Sequence, residues 1–413
     1  MSDEALAIPT TDVDESSLVQ KLLDNVRGGN LGIWPVIVAL GFVALGFSLT
    51  ANNFFTPGNF TNIITQMAGT CLLAYGVVFV LLIGEIDLSI SYVSGVAGVV
   101  VAELQLPTGA HLNGVICILL AILAATAIGA FQGSIVALIG VPSFVVTLAG
   151  FLIWQGVIQQ TITQGVIVIQ DTTINNMSNY FFQNHGLWDH GLVPASWALA
   201  IATSVIYVAG TLGGVISSRR HGVAVRAPWL VVVKLVLIPG LACLVVWICD
   251  KDRGVPFALL LVVASLLLWT FVAKRTTFGR HVYAVGGNAE AARRAGINVP
   301  LIRIFVFMIA GAMSGLGGVV LAARLNSVDL NAGGGTLLID AIAAAVIGGT
   351  SLFGGRGEVR NALVGALLIA TVANGMNTLG KPTGLIYMVT GGILLFAVML
   401  DTIVRRLQIR SGR

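Results

Sequence analysis

At 413 residues, 56% hydrophobic and only 10% charged, the chain lies far from an average soluble domain, which is about a quarter charged. Its net charge of +4 at pH 7 is too small to point to nucleic acid, and in so apolar a chain the placement of charges carries more meaning than their sum. Several apolar stretches run close to the roughly 20 residues that cross a bilayer and none alternates as a β-barrel would, which leaves an all-α polytopic membrane protein of about 10–12 transmembrane helices.

The first 33 residues carry six acids and two bases, the reverse of the basic start of a signal peptide. After Ser16 and Ser17, the residues Leu18, Leu22 and Val26, joined by Val19 and Leu23, form one helical stripe. An amphipathic helix at the membrane surface is expected there. A transmembrane domain over 34–404 and a basic tail over 405–413 complete the organisation.

Hydropathy predicts twelve spans, near 34–50, 64–84, 88–104, 114–139, 143–161, 195–216, 229–249, 255–273, 303–323, 337–353, 361–379 and 384–404. The third and tenth are short. The four cysteines, Cys71, Cys117, Cys243 and Cys249, fall in or beside spans without metal-ligand spacing and read as buried small hydrophobes. With the N-terminus in the cytoplasm, alternation puts seventeen of the 22 Lys and Arg residues inside. Lys251, Arg253, Arg324 and Lys381 fall outside, and Lys234 lies within a span. This bias predicts both termini in the cytoplasm.

The second and third spans meet at "LLIGEIDLSIS", residues 81–91, where Glu85 and Asp87 interrupt an apolar run. A charge at mid-bilayer costs about 2.5–3.5 kcal/mol on insertion scales, so the junction between spans is where such acids are tolerable. One reading has Asp87 capping the third span through the N–H of Ser89 or Ile90, against the positive end of the helix dipole. The other places Glu85 and Asp87 on a wet path, since paired short spans mark transport pathways. Asp340 is a second intramembrane acid and a candidate partner for Lys234. Asn374 and Asn377 make the eleventh span polar, suited to joining helices or lining a path. The pairs Ser91/Gly95, Ser94/Gly98 and Gly311/Gly315 read as close helix packing.

Two loops have room for function. Residues 161–194, on the outer side, are rich in amides and aromatics; they are either a solvated connector or a docking surface. Residues 274–303, on the inner side, hold "NAEAARRAGINVP". Asn288 can cap a helix, Ala289 to Ala295 favour one, Gly296 can end it and Pro300 stops it. Two turns are not stable alone in water, so this helix lies either on anionic lipid, through Arg293 and Arg294, or in the grip of another protein.

The chain lacks a phosphate-binding G-x-x-x-x-G-K-S/T motif; the glycine-rich "GGTSLFGGRGE" of 348–358 has no Lys-Ser or Lys-Thr. It has no run of intramembrane arginines and no proton-relay chain of His and acids, nor a nucleophile–base or metal constellation. No cofactor and no catalytic residue is expected. A transporter driven by a partner fits better than a self-sufficient carrier or a membrane enzyme.

"GEIDLSISYVSG", "VPSFVVTLAG", "FGRHVYAVGGNAEAARRAGI" and "IDAIAAAVIGGTSLFGG" resemble the monosaccharide permeases of bacterial ABC importers of the ribose, galactose and xylose type. The likeness covers nearly the whole chain after residue 33, and the added spans around 195–249 are most similar to the xylose type. The resemblance implies a type II importer-like fold and inner-membrane import of a monosaccharide, a pentose such as xylose being expected. It also implies a permease homodimer, cytoplasmic ATPase subunits that hydrolyse the ATP and a periplasmic sugar-binding protein. It identifies 288–297 as the ATPase-docking coupling helix, with Gly287, Asn288, Glu290, Ala291, Ala292, Arg293, Gly296 and Ile297 as matching positions. The alternatives are a branched-chain amino acid permease of the related class, or a stand-alone sugar carrier.

Overall fold

The computed structural model describes residues 33–163, 165–182, 195–220 and 228–410. The expected surface helix, part of the amide-rich loop (183–194) and the end of the tail (411–413) lie outside the described residues. In chain order the elements are α1 (Trp34–Thr50), α2 (Pro57–Leu82), α3 (Ile90–Leu104), α4 (Gly114–Ser134, continued by a π-turn over Ile135–Ile139), α5 (Ser143–Thr161), β1 (Val166–Val168), α6 (Thr172–Asn179) and β2 (Phe181–Phe182). There follow α7 (Ala195–Arg220), α8 (Pro228–Asp250), β3 (Val255–Pro256), α9 (Phe257–Arg275), α10 (Thr277–Gly287), α11 (Ala289–Arg294), α12 (Val299–Leu325), β4 (Ser327–Asp329), α13 (Leu337–Ile347), α14 (Val359–Thr378) and α15 (Thr383–Arg410). Among the described residues eight helices are long and apolar enough to cross a membrane, and α1, α3, α13 and the apolar part of α15 are shorter apolar helices.

The twelve predicted spans each coincide with one of these helices, and the differences lie at their ends. Helix α2 begins at Pro57 rather than near 64, because the Thr56 side chain accepts the Asn59 N–H and Pro57 occupies the first turn. Its polar opening, Asn59 to Asn62, hides it from hydropathy. Helix α13 stops at Ile347 rather than 353, where Gly348 and Gly349 follow and Gly349 takes φ +86°. The loops also hold helices that hydropathy does not show. Helix α6 starts where Asp171 accepts the N–H groups of Thr173 and Ile174, and α10 where Thr276 accepts that of Gly279.

Helices α2 and α12 form the centre. Tyr75, Phe79 and Phe307 are fully buried, and Phe79 meets Trp269 of α9 edge to face at 5.4 Å. Helix α12 packs against α4 and α3 at backbone distance: a Cβ on Gly311 would overlap the Ala125 carbonyl oxygen, and one on Gly318 that of Ser94. Helices α7 and α8 form a hairpin attached at one end only. Its buried residues, among those described, are Ser196, Ala200, Val246 and Cys249, and Ser196 Oγ donates to Asp250 Oδ2 at 3.1 Å.

The two ends of the bundle differ. At the loop end, β1 pairs antiparallel with β4 and β2 with β3, and Gln105 Oε1 accepts the N–H groups of Gln170 and Asp171 at 2.8 and 2.9 Å. At the basic end, Lys274 Nζ lies 2.6 Å from Glu358 Oε1, Arg360 pairs with the other Glu358 oxygen, and the Tyr283 hydroxyl donates to the Gly357 carbonyl at 2.8 Å. Burial pushes the Glu358 carboxyl up, but the bonds from Lys274 and Arg360 outweigh it and leave the group below its ordinary value.

Candidate functional site

A cavity of about 470 Å³ opens at the loop end between α2, α3, α12, α13 and α14. The two short helices make it possible. Helix α3 brings Ser94, Gly95 and Gly98 to its wall, and α13 brings Leu337 and Asp340. The chain reaches α13 through Gly333 and Gly335, at φ +78° and +65°, conformations that favour glycine. The polar lining consists mainly of amides and hydroxyls, among them Gln66, Asn331, Thr336 and Asn377, together with Arg324 and Asp340. Thr336 Oγ1 donates to Asp340 Oδ2 at 2.7 Å. Arg324 makes no ion pair with any described acid. With Asp329 also on the wall, the lining offers many donors and acceptors, one guanidinium and two carboxylates, and so more polar groups than charges.

Asp340 is thus on the wall, and Asn374 lies just behind it. Asn374 is buried, with Nδ2 3.5 Å from Oε1 of the lining residue Gln66. Lys234 stands exposed on α8, and no ion pair joins it to Asp340 among the described residues. Gln66, Arg324 and Tyr387 also line the cavity and were not singled out from sequence. Arg324 did carry a signal, as a charge placed directly at the end of an apolar span. Asn374 was expected to join helices or line a path, but its contact with Gln66, 308 positions away, carried no signal.

Glu85 and Asp87 do not line this cavity. They sit towards the basic end, in the turn between α2 and α3. Gly84 adopts φ +75° and the Glu85 N–H reaches back to the Val80 carbonyl at 3.1 Å, which closes α2 as a Schellman motif does. Glu85 Oε1 lies 3.2 Å from Arg303 Nη2, with the two side chains 15% and 30% exposed. Asp87 is buried, and its Oδ1 accepts both the Ser89 N–H at 2.9 Å and the Ser89 hydroxyl at 2.7 Å, beside a Ser89–Gln132 contact of 2.8 Å. Asp87 also borders a small pocket of about 20 Å³ with Ile342 and Leu352. Helix α13 thus touches the large cavity through Leu337 and Asp340 and this pocket through Ile342.

Helix α11 projects at the basic end. Asn288 Oδ1 accepts the Ala291 N–H at 2.9 Å, and Gly296 takes φ +85° as the helix ends. Ala292 is 5% exposed and packs inward with Ile297. Gly287, Asn288, Glu290, Ala291, Arg293 and Gly296 form the free face. Glu290 bonds to Arg293 at 3.0 Å and to Arg294 at 3.0 Å, and those guanidiniums, Arg293 first, hold its carboxyl below the ordinary range. Two turns are not stable alone in water, and here the helix is held by its caps and by the burial of Ala292.

The family model described as branched-chain amino acid transport system / permease component matches residues 59–398. The chain is 35% identical over 408 residues to the xylose transport system permease protein XylH of Escherichia coli (strain K12), covering 98% of each chain. It is 33% identical over 385 residues to XylH of Haemophilus influenzae, covering 91% of this chain and 98% of that one. It is 30% identical over 365 residues to the ribose import permease protein RbsC of Escherichia coli (strain K12), covering 88% of this chain and 92% of that one. No solved structure matches the chain.

Proposed function

The chain belongs to the branched-chain amino acid transport system / permease component family, and on that premise we propose that it is the membrane subunit of an ATP-driven importer of a pentose, xylose above all. It is a transport subunit and not an enzyme. The observation that carries the sugar is the 35% identity over 98% of each chain to a xylose transport system permease. The chemistry of the cavity supports it, because hydroxyl groups match a wall of amides and hydroxyls with two acids, Asp329 and Asp340, and one guanidinium.

In this reading the loop end faces the periplasm and receives sugar from a soluble binding protein. The bias of seventeen inner against four outer basic residues supports that orientation. The path follows α13, from Asp340 at the outer cavity, with Asn374 steadying Gln66, to Asp87 at the small inner pocket beside Glu85. Two copies of the chain form the permease. A pair of cytoplasmic ATPase subunits grips α11 through Asn288, Glu290, Ala291 and Arg293, with Gly287 and Gly296 bounding the helix and Ala292 and Ile297 seating it on the bundle. Inner-leaflet lipid surrounds the apolar faces.

One observation favours a second reading. The family description names branched-chain amino acids, and a cavity with Arg324 and Asp340 on its walls would also suit the two charges of an α-amino acid. Uptake by the full complex in proteoliposomes, with binding protein outside and ATP inside, decides between them. ATP-dependent accumulation of labelled xylose and not of leucine is expected; leucine accumulation without xylose would overturn the sugar assignment. Uptake without any ATPase subunit would make the chain a stand-alone carrier.

A further inference from the structure

Helix α11 is tied to the bundle just before it and just after it, and both ties end on the same short stretch, residues 82–85. Upstream, α10 ends with Gly286 pressed against the Leu82 carbonyl. A Cβ there would overlap that oxygen and lie 2.7 Å from the Gly355 nitrogen, which donates to the same carbonyl at 2.8 Å. Downstream, Arg303 in the second turn of α12 reaches Glu85 at 3.2 Å. The stretch is itself fastened on its far side. The Ile86 N–H donates to Ser143 Oγ at 3.2 Å, the Ile86 carbonyl accepts Thr147 Oγ1 at 3.2 Å, and Asp87 leads through Ser89 to Gln132. Four residues further on, α3 begins, and α3 is a wall of the cavity.

We infer that the Glu85–Arg303 pair is a positioning element: it passes a displacement of α11 to the α2–α3 turn and so to the α3 wall of the cavity. This rests on the reading of α11 as the ATPase-docking helix. The upstream tie is a steric stop, which transmits a push towards Leu82. An ion pair resists separation, so the downstream tie transmits a pull. Glu85 is mostly withdrawn from water and Arg303 partly so, so the attraction is only partly screened and loss of Arg303 leaves the carboxylate poorly solvated. The pair therefore moves as one unit, and the carboxylate in an otherwise apolar run has a mechanical reason to be there.

The test uses the full complex of permease, ATPase subunits and binding protein in proteoliposomes, with labelled xylose uptake and phosphate release measured together. Glu85→Gln and Arg303→Gln should keep the ATPase bound and hydrolysing, while the xylose moved per ATP falls by about fivefold or more, the lower range of coupling between sites. Hydrolysis should also stop responding to sugar-loaded binding protein. Arg303→Lys keeps the charge and should retain most of the coupling. An unchanged xylose-to-ATP ratio in Glu85→Gln at equal abundance overturns the inference, and so does a loss in Arg303→Lys as large as in Arg303→Gln. If the Gln variants do not assemble, Glu85→Asp, which keeps charge but shortens reach, should give a partial loss; wild-type coupling there would overturn it. Failure of the docking reading is seen separately, as ATPase that still co-purifies with Ala291→Trp on the free face of α11.

Discussion

Helices α2 and α8 are both apolar, yet they live in different surroundings. The stretch Val231–Asp250 of α8 is the more apolar of the two, but only Val246 and Cys249 of it are buried in the protein, against 19 of the 26 residues of α2. Its hairpin partner α7 likewise buries only Ser196 and Ala200 of its 26 residues, whereas α12 buries 15 of 27. In a bilayer, hydropathy states that lipid tolerates a helix; it does not say whether protein covers it. What separates the two pairs is the spacing of their neighbours. Helix α12 places glycines against the backbones of α3 and α4, while Gly213, Gly214 and Gly240 of the hairpin have no atom within 4 Å of a Cβ position. Close backbone approach is how membrane helices gain contact when lipid is as apolar as their own side chains.

The contrast breaks most sharply on truncation. Phe307→Ala should cost about 3–5 kcal/mol by emptying a sealed site, whereas Leu237→Ala, on a side chain 60% exposed, should stay within about 0.5 kcal/mol. Denaturant unfolding in one detergent compares the two, and equal losses would mean that α8 is covered as α12 is. A second pair of variants should differ in sign. Gly311→Ala meets the Ala125 carbonyl and should cost about 1–3 kcal/mol as α4 and α12 are forced apart. Gly214→Ala meets nothing and should be neutral or stabilising by up to about 1 kcal/mol.

These two regions also mark what could be read from sequence. The number and order of the apolar helices were legible because each carries a run of bulky apolar residues. Helices α6 and α10 were not, because they are short, polar and amphipathic and are held by caps at Asp171 and Thr276. For Asp340 and the face of α11, residue type alone was enough to raise the question of a role. The ties of Gly286 to Leu82 and of Arg303 to Glu85 were invisible, since a glycine and an arginine in a loop look alike whether free or pressed against a turn 200 residues earlier. The hairpin's position outside the bundle was hidden for the same reason: nothing in Val-Leu-Ile text says what touches it.

A deletion tests the comparison with a smaller expected effect. Strands β2 and β3 pair directly, Phe182 opposite Val255, so the hairpin leaves and rejoins the bundle at neighbouring points. Replacing 183–254 by a two-residue Asn-Gly turn fits that geometry. The shortened chain should remain folded, with a melting temperature lower by no more than about 5 °C, because the described part of the hairpin packs on the bundle at the loop end, around Ile64 and Phe60. Collapse of the bundle would show that the hairpin is part of its core.

The smallest effect belongs to the basic end, where ion pairs add to the packing that joins the helices. Glu358 is held below its ordinary value by Lys274 and Arg360, so its contribution to stability is present above the unfolded carboxylate value near 4.3 and is lost as pH falls through the lower folded value. Its side chain is 30% exposed, so water and salt screen much of the interaction. Melting temperature should therefore decline slightly as pH drops below about 4.3, and Glu358→Gln should flatten that decline while leaving neutral-pH stability only a little reduced. Removing the hairpin should leave this slope in place, since the ion-pair partners of Glu358, Lys274 and Arg360, lie on α9 and α14. A slope that vanished with the hairpin instead would locate the acid sensitivity in α7 and α8 and remove the charge-joined end from the distinction between the two regions.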